Sequence, residues 1–259
     1  MKRHLLVSLL VACGESSAKP AHPVEHKEPI AITTAEQVIE QSIANEGGRD
    51  KLAKITSLHM HGTLMIAQLG TPGTLETLSS PPNNSLTRLE IKGVFKDEAG
   101  VKGDLAWEKN TMMGARILAG AEKSMALREA QFNGDLIWKQ LYPKAELKGI
   151  VKFADIDCYQ VVLTATDGQV QTRYYAKDTF LPIGLEMVAE SQMGKVPVKL
   201  VSSDWREVNG FKYPRKMKRE EAAQAIEITI DKIETNVPIP PETFEPSDEI
   251  KQLAAAAPK

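Results

Sequence analysis

The chain has 259 residues, 42% of them hydrophobic and 25% charged, with a formal net charge of −2. These are ordinary values for a globular protein that buries its own core without staples. No basic excess is present, which argues against a nucleic-acid partner.

The first residues, Met1-Lys2-Arg3-His4, form a short positive stretch, and Leu5 to Ala12 form an apolar one. The apolar run is far below the roughly 20 residues that span a bilayer, so it reads as a processed signal over 1–12. It ends in Leu10-Val11-Ala12-Cys13-Gly14, which resembles the lipobox of bacterial lipoproteins. That resemblance implies a diacylated Cys13 as the new N-terminus. Removing 1–12 takes away Lys2 and Arg3 and leaves 30 basic against 34 acidic residues, a net −4. Several acyl chains make a lasting anchor, where one chain is marginal. The alternative is an ordinary secretory signal cut near Gly14. Because Gly14 and not Asp follows the cysteine, the enterobacterial rule implies the outer membrane, facing the periplasm. Residues 13–32, with Pro20, Pro23 and Pro29, read as a tether. A lipidated Cys13 leaves Cys158 without a disulfide partner. In Cys158-Tyr159-Gln160-Val161-Val162-Leu163 it reads as a small hydrophobe in a strand, the alternative being a reactive thiol.

The folded part is expected over 33–246. Thr33 and Glu36 fit a capping box, Val38, Ile39 and Ile43 follow at helical spacing, and Gly47-Gly48 supplies the stop. A short helical turn is expected over 50–55. The period then becomes two: Leu58, Met60, Leu64 and Ile66 share one strand face, and His59, His61 and Thr63 the other. The same alternation returns in Ile226, Ile228 and Ile230, against Glu227, Thr229 and Asp231. Further strands are expected near 73–79, 85–92, 94–98, 103–109, 145–152, 157–165, 169–176, 183–191, 196–207 and 211–219. Asp167-Gly168 and Asn209-Gly210 are hairpin turns, and Gly93, Gly100 and Gly103 read as punctuation.

Only 120–131, rich in helix formers, and 135–142 interrupt this meander. Without βαβ alternation a parallel sheet is excluded. The fold class is α+β, mainly β: a curved antiparallel half-barrel of about eleven strands with a few helices packed on its concave face. Residues 247–259 read as a flexible C-terminal tail.

In order and spacing these segments resemble the LolA/LolB-like lipoprotein-sorting family. The resemblance rests on Ala35-Glu36-Gln37-Val38-Ile39, Gly47-Gly48-Arg49-Asp50-Lys51-Leu52 and Leu58 to Thr63. It continues through Leu105-Ala106-Trp107-Glu108, the helix at 120–131, Leu141-Tyr142-Pro143 and Asp204-Trp205-Arg206-Glu207-Val208-Asn209-Gly210. Ile226 to Ile233, Asn236-Val237-Pro238 and Phe244 complete it. It implies an apolar cavity between sheet and helices that takes up lipid or the acyl chains of lipoproteins, without covalent chemistry. The family's soluble carrier has no lipid anchor, so an anchored receptor or a distinct lipid-binding role fits this chain better than a shuttle. The carrier's functional arginine aligns with no arginine here.

The apolar faces assign the cavity lining to Leu58, Met60, Leu64, Ile66, Leu105, Trp107, Met125, Ile226, Ile228 and Ile230. The methionines Met60, Met112, Met113, Met125 and Met187 would suit adaptable apolar contacts, or serve as plain core. The alternative function is a protein–protein interaction module of envelope assembly or signalling, its half-barrel filled by side chains. A cavity below about 300 Å³ would favour it. No Gly-x-Ser-x-Gly, His-Glu-x-x-His or phosphate-binding loop occurs, so neither catalysis nor a cofactor is assigned. His59 and His61 share a strand face, but a metal would need ligands from elsewhere, and a solvated face explains them. Asp155 and Asp157 read as a turn before a strand.

Overall fold

The computed structural model describes residues 31–68, 70–191, 194–221 and 224–256. Residues 1–30, and with them the expected signal, Cys13 and most of the tether, lie outside these.

Helix α1 spans Ala35–Glu46. Its capping box lies one residue later than the sequence suggests. The Thr34 hydroxyl accepts from the Gln37 amide (3.2 Å), and the Gln37 side-chain carbonyl accepts from the Thr34 amide (3.1 Å) and the Thr33 amide (2.8 Å). This leaves Glu36 free to pair with Lys139. Ala35, Val38, Ile39, Ser42 and Ile43 form the buried stripe of α1. Gly47 ends the helix at φ 141°, and a Cβ there would meet the Gly210 carbonyl oxygen at 2.8 Å, so only glycine fits. A single turn, α2 (Arg49–Leu52), follows.

Two antiparallel meanders then build one sheet. The first comprises β1 (Leu58–Ile66), β2 (Pro72–Ser80), β3 (Asn84–Ile91), β4 (Phe95–Lys102), β5 (Leu105–Asn110) and β6 (Gly114–Ile117). A helical link carries α3 (Gly120–Glu129), a 3-10 turn (Gly134–Ile137) and α4 (Trp138–Leu141). The second meander comprises β7 (Lys144–Phe153), β8 (Ile156–Thr164), β9 (Val170–Ala176), β10 (Pro182–Ser191), β11 (Gly194–Val208), β12 (Phe211–Glu221) and β13 (Gln224–Thr235). Pairing of β1 with β13 joins the halves into a thirteen-stranded sheet with β6 and β7 at its edges. The turn between β11 and β12 is Asn209 (φ 53°) and Gly210 (φ 84°), both left-handed, as a two-residue hairpin requires.

Two departures from the expected strands have local reasons. β6 has no alternating signature in Gly-Ala-Arg-Ile and is held by pairing with β5. Gly100 does not break β4; it sits mid-strand because the Trp107 ring lies on it, where a Cβ would meet the ring at 2.1 Å.

Residues paired across neighbouring strands share a face. One row runs Ala106, Val101, Ser85, Ser79, Leu58. α3 packs on this face, with Ala126, Leu127 and Ala130 against Val101 and Ala106. α3 also touches β10, which lies far from β5 in the strand order; a helix reaches both only from inside a curved sheet. This is the concave face. α1 and Trp138 cover its other half over Val161, Leu163 and Tyr175.

On the convex face, Leu78, Leu86 and Trp107 are covered by Phe244 and Ile250. Ile250 belongs to α5 (Asp248–Ala256) and is 1% exposed. The expectation of a flexible tail from 247 is therefore corrected over 248–256. Ile250 and the half-buried Leu105 and Ala115 give this helix an apolar footing. Cys158 is a buried free thiol, packed with Phe153 and Tyr174.

Candidate functional site

Where α1, α2 and the end of α3 meet the sheet, they leave a cavity of about 320 Å³. Leu58 and Met60 of β1, with the hydroxyls of Thr77, Ser79 and Ser85, form its floor. Ile43, Leu52, Ile55, Ala130, Phe132 and Leu136 form apolar walls. The loop after α3 is pinned on both sides. Asn133, at φ 53°, donates from its side chain to the Leu52 carbonyl (2.8 Å), and the Phe132 amide donates to the Pro82 carbonyl (3.1 Å).

Three carboxylates, Glu46, Glu129 and Asp135, and the phenol of Tyr213 also face the space. Burial, reinforced by Asp135, raises the Glu46 pKa to about 7, against a hydrogen bond from the Ser42 hydroxyl (2.6 Å). Burial likewise raises Glu129, opposed by Arg219, Arg128 and Arg173. Glu129 has solvent access, yet protein crowds it, as befits a side chain in a hollow. Asp135 is paired with Arg173 (2.7 Å). Burial takes Tyr213 up to about 12, with Glu46 adding to the effect. The site is thus an apolar hollow in which Glu46 and Glu129 are pushed toward their neutral forms.

Of the residues assigned to the lining, Leu58 and Met60 reach this cavity. Leu64, Ile66, Ile226, Ile228 and Ile230 share the concave face but pack on one another with Leu75 and Ile91, filling their own end of the sheet. Met125 lies half-buried on α3. Leu105 and Trp107 are a correction. Trp107 pairs through Gly100 and Leu86 to Leu78, on the convex face, beneath α5. Strand alternation tells which residues share a face and not which face is enclosed. The cavity acids escaped the sequence reading, although Glu46 carried a signal: it continues the buried stripe three residues after Ile43 and four after Ser42.

Solved structures share this architecture. A LolA superfamily protein from Nitrosomonas europaea superposes with a TM-score of 0.55 at 15% identity, over 83% of this chain and 99% of that one. The fold is LolA-like. A DUF1329 family protein from Desulfovibrio piger gives a TM-score of 0.56 at 15% identity, covering 82% of this chain and 97% of that one. A Vibrio parahaemolyticus domain described as an outer membrane lipoprotein-sorting protein gives 0.53 at 12% identity, covering 81% and 97%. No family model matches the sequence, and no curated protein matches it. In this LolA-like frame the cavity lies between the sheet and the helices that lid it.

Proposed function

We propose that this chain is a non-catalytic lipid binder of the bacterial envelope. It takes an acyl chain of a lipid or lipoprotein into the cavity under α1–α3, and a lipidated Cys13 holds it on the outer membrane facing the periplasm. The observation that carries the reading is the hollow of about 320 Å³ with Leu58, Met60, Ile43, Leu52 and Phe132 around it. Ligand pockets span about 300–1,000 Å³, and a place at the low end suits one chain better than a multi-chain lipid. Acids held toward neutrality at its rim lower the cost of excluding water beside an apolar guest. LolA superfamily and lipoprotein-sorting proteins among the fold relatives support the same direction.

Native mass spectrometry of full-length protein, extracted gently, tests this reading. An acyl-lipid adduct is expected in the wild type. It should be lost in Met60→Trp, which fills the floor, while circular dichroism stays unchanged. A ligand-free wild type that ignores both fatty acids and acylated peptides would sink the proposal.

The second reading, a protein-interaction module, is favoured by Val170 of β9 and Val188 of β10, each about half exposed and lining one surface depression. Loss of a partner in Val170→Lys/Val188→Lys, with no lipid adduct in either form, would support that module.

A further inference from the structure

The convex face carries a second constellation, independent of the cavity. His59 and His61 alternate on β1, so both rings project to the same side, 4.1 Å apart between centroids. β13 runs alongside, with Glu234 directly opposite His59. Ligand atoms of His59, His61 and Glu234 all lie within 4.8 Å of one another. Among the described residues no other group of three or more His, Cys, Asp or Glu converges in this way.

The surroundings orient these groups. Glu76, on the other neighbour β2, stands 3.0 Å from His59 Nε2 through Oε1. Its second oxygen accepts from Arg88 (3.1 Å), which Glu98 holds in turn (2.9 Å). In the tautomer that carries its proton on Nε2, His59 donates to Glu76 Oε1. That leaves the Nδ1 lone pair facing Glu234 Oε2, 4.0 Å away. Lys232 occupies the other Glu234 oxygen, Oε1, at 2.8 Å, so Oε2 stays available. A carboxylate holding the far nitrogen of an imidazole is the usual support of a histidine that ligates metal.

We propose that His59, His61 and Glu234 bind one divalent transition-metal ion of the zinc, nickel or copper class, with Glu76 positioning His59. Two imidazoles and one carboxylate suit this class and not calcium or magnesium, which take oxygen ligands. Metal–nitrogen bonds of about 2.0–2.1 Å require the three donors to draw together from their present spacing. His59, 20% exposed, and Glu234, 31% exposed, retain the freedom to do so. The ion would cross-link β1 to β13, the single seam joining the two meanders.

Titration of the full-length protein with Zn²⁺ by calorimetry, and with Co²⁺ by visible absorption, tests the site. One equivalent should bind and raise the thermal midpoint. Glu76→Gln should weaken affinity by about 10–100-fold, as loss of an outer partner does. His59→Gln/His61→Gln should lose the bound equivalent and the thermal shift, with circular dichroism reporting that the fold persists. Binding with unchanged affinity in that double variant would move the metal elsewhere, such as the two further histidines of the segment 13–32, His22 and His26, and overturn the proposal. So would a wild type that binds neither ion. Lipid uptake in the cavity is unaffected by either result.

Discussion

Glu46 couples the cavity to pH. Its carboxyl titrates near 7 in the folded chain because burial and Asp135 disfavour the charge; in the unfolded chain it titrates near 4.5. Below pH 4.5 both states hold the proton. Between 4.5 and about 7 only the folded state does, so stability falls as pH rises through that window and levels above it. The loss amounts to at most about 3 kcal/mol. Glu46→Gln should remove it: urea denaturation is expected to show a variant more stable than wild type at pH 8 and matched to it at pH 4. Asp97, raised to about 6 by burial and by Glu108, adds its own share, so the slope shrinks without vanishing. Equal slopes in variant and wild type would show that Glu46 titrates normally. Glu46 was legible as the end of a helical stripe, but its partners were not. Asp135 and Tyr213 lie far along the chain, and only the fold brings them together.

Among elements, α5 shows how a short amphipathic segment becomes structure. Asp248–Ala256 contains too few residues to be helical alone. Docking of Ile250 on Trp107, Leu78 and Leu86 supplies the stability that propensity does not. Lys109 pairs with Glu249 (2.7 Å), and Lys102 pairs with Glu245, but such exposed pairs add little. Ile250→Ser should therefore cost roughly 2–4 kcal/mol, the price of a large buried side chain. A urea midpoint unmoved by this change would mean that α5 is peripheral. The strands show the opposite balance. β1 was readable over Leu58–Ile66 from alternation alone, and the Asn209-Gly210 turn from its residue types. β4 was misread at Gly100 because the reason for glycine there, the Trp107 ring, belongs to the next strand.

For the whole molecule, the sheet order explains why a cavity exists. Two meanders meet only at β1–β13, and the helical link between them must cross back over the concave side. That link and α1 cover part of the curve, while the apolar side chains around Leu64 and Ile230 fill the rest. The proposed tether acts at this scale too. Cys13→Ala should shift the full-length protein from membranes to soluble fractions in cell fractionation. Continued membrane attachment would contradict lipidation at Cys13.

Antiparallel β architecture, the lead helix and the central hairpin were determined by the sequence itself, because side-chain period and turn conformation are local properties. The enclosed face was decided only by the tertiary structure. Leu58 and Trp107 show the same alternation, yet one floors a cavity and the other lies under α5, since burial depends on what packs above a strand and not on the strand's own pattern.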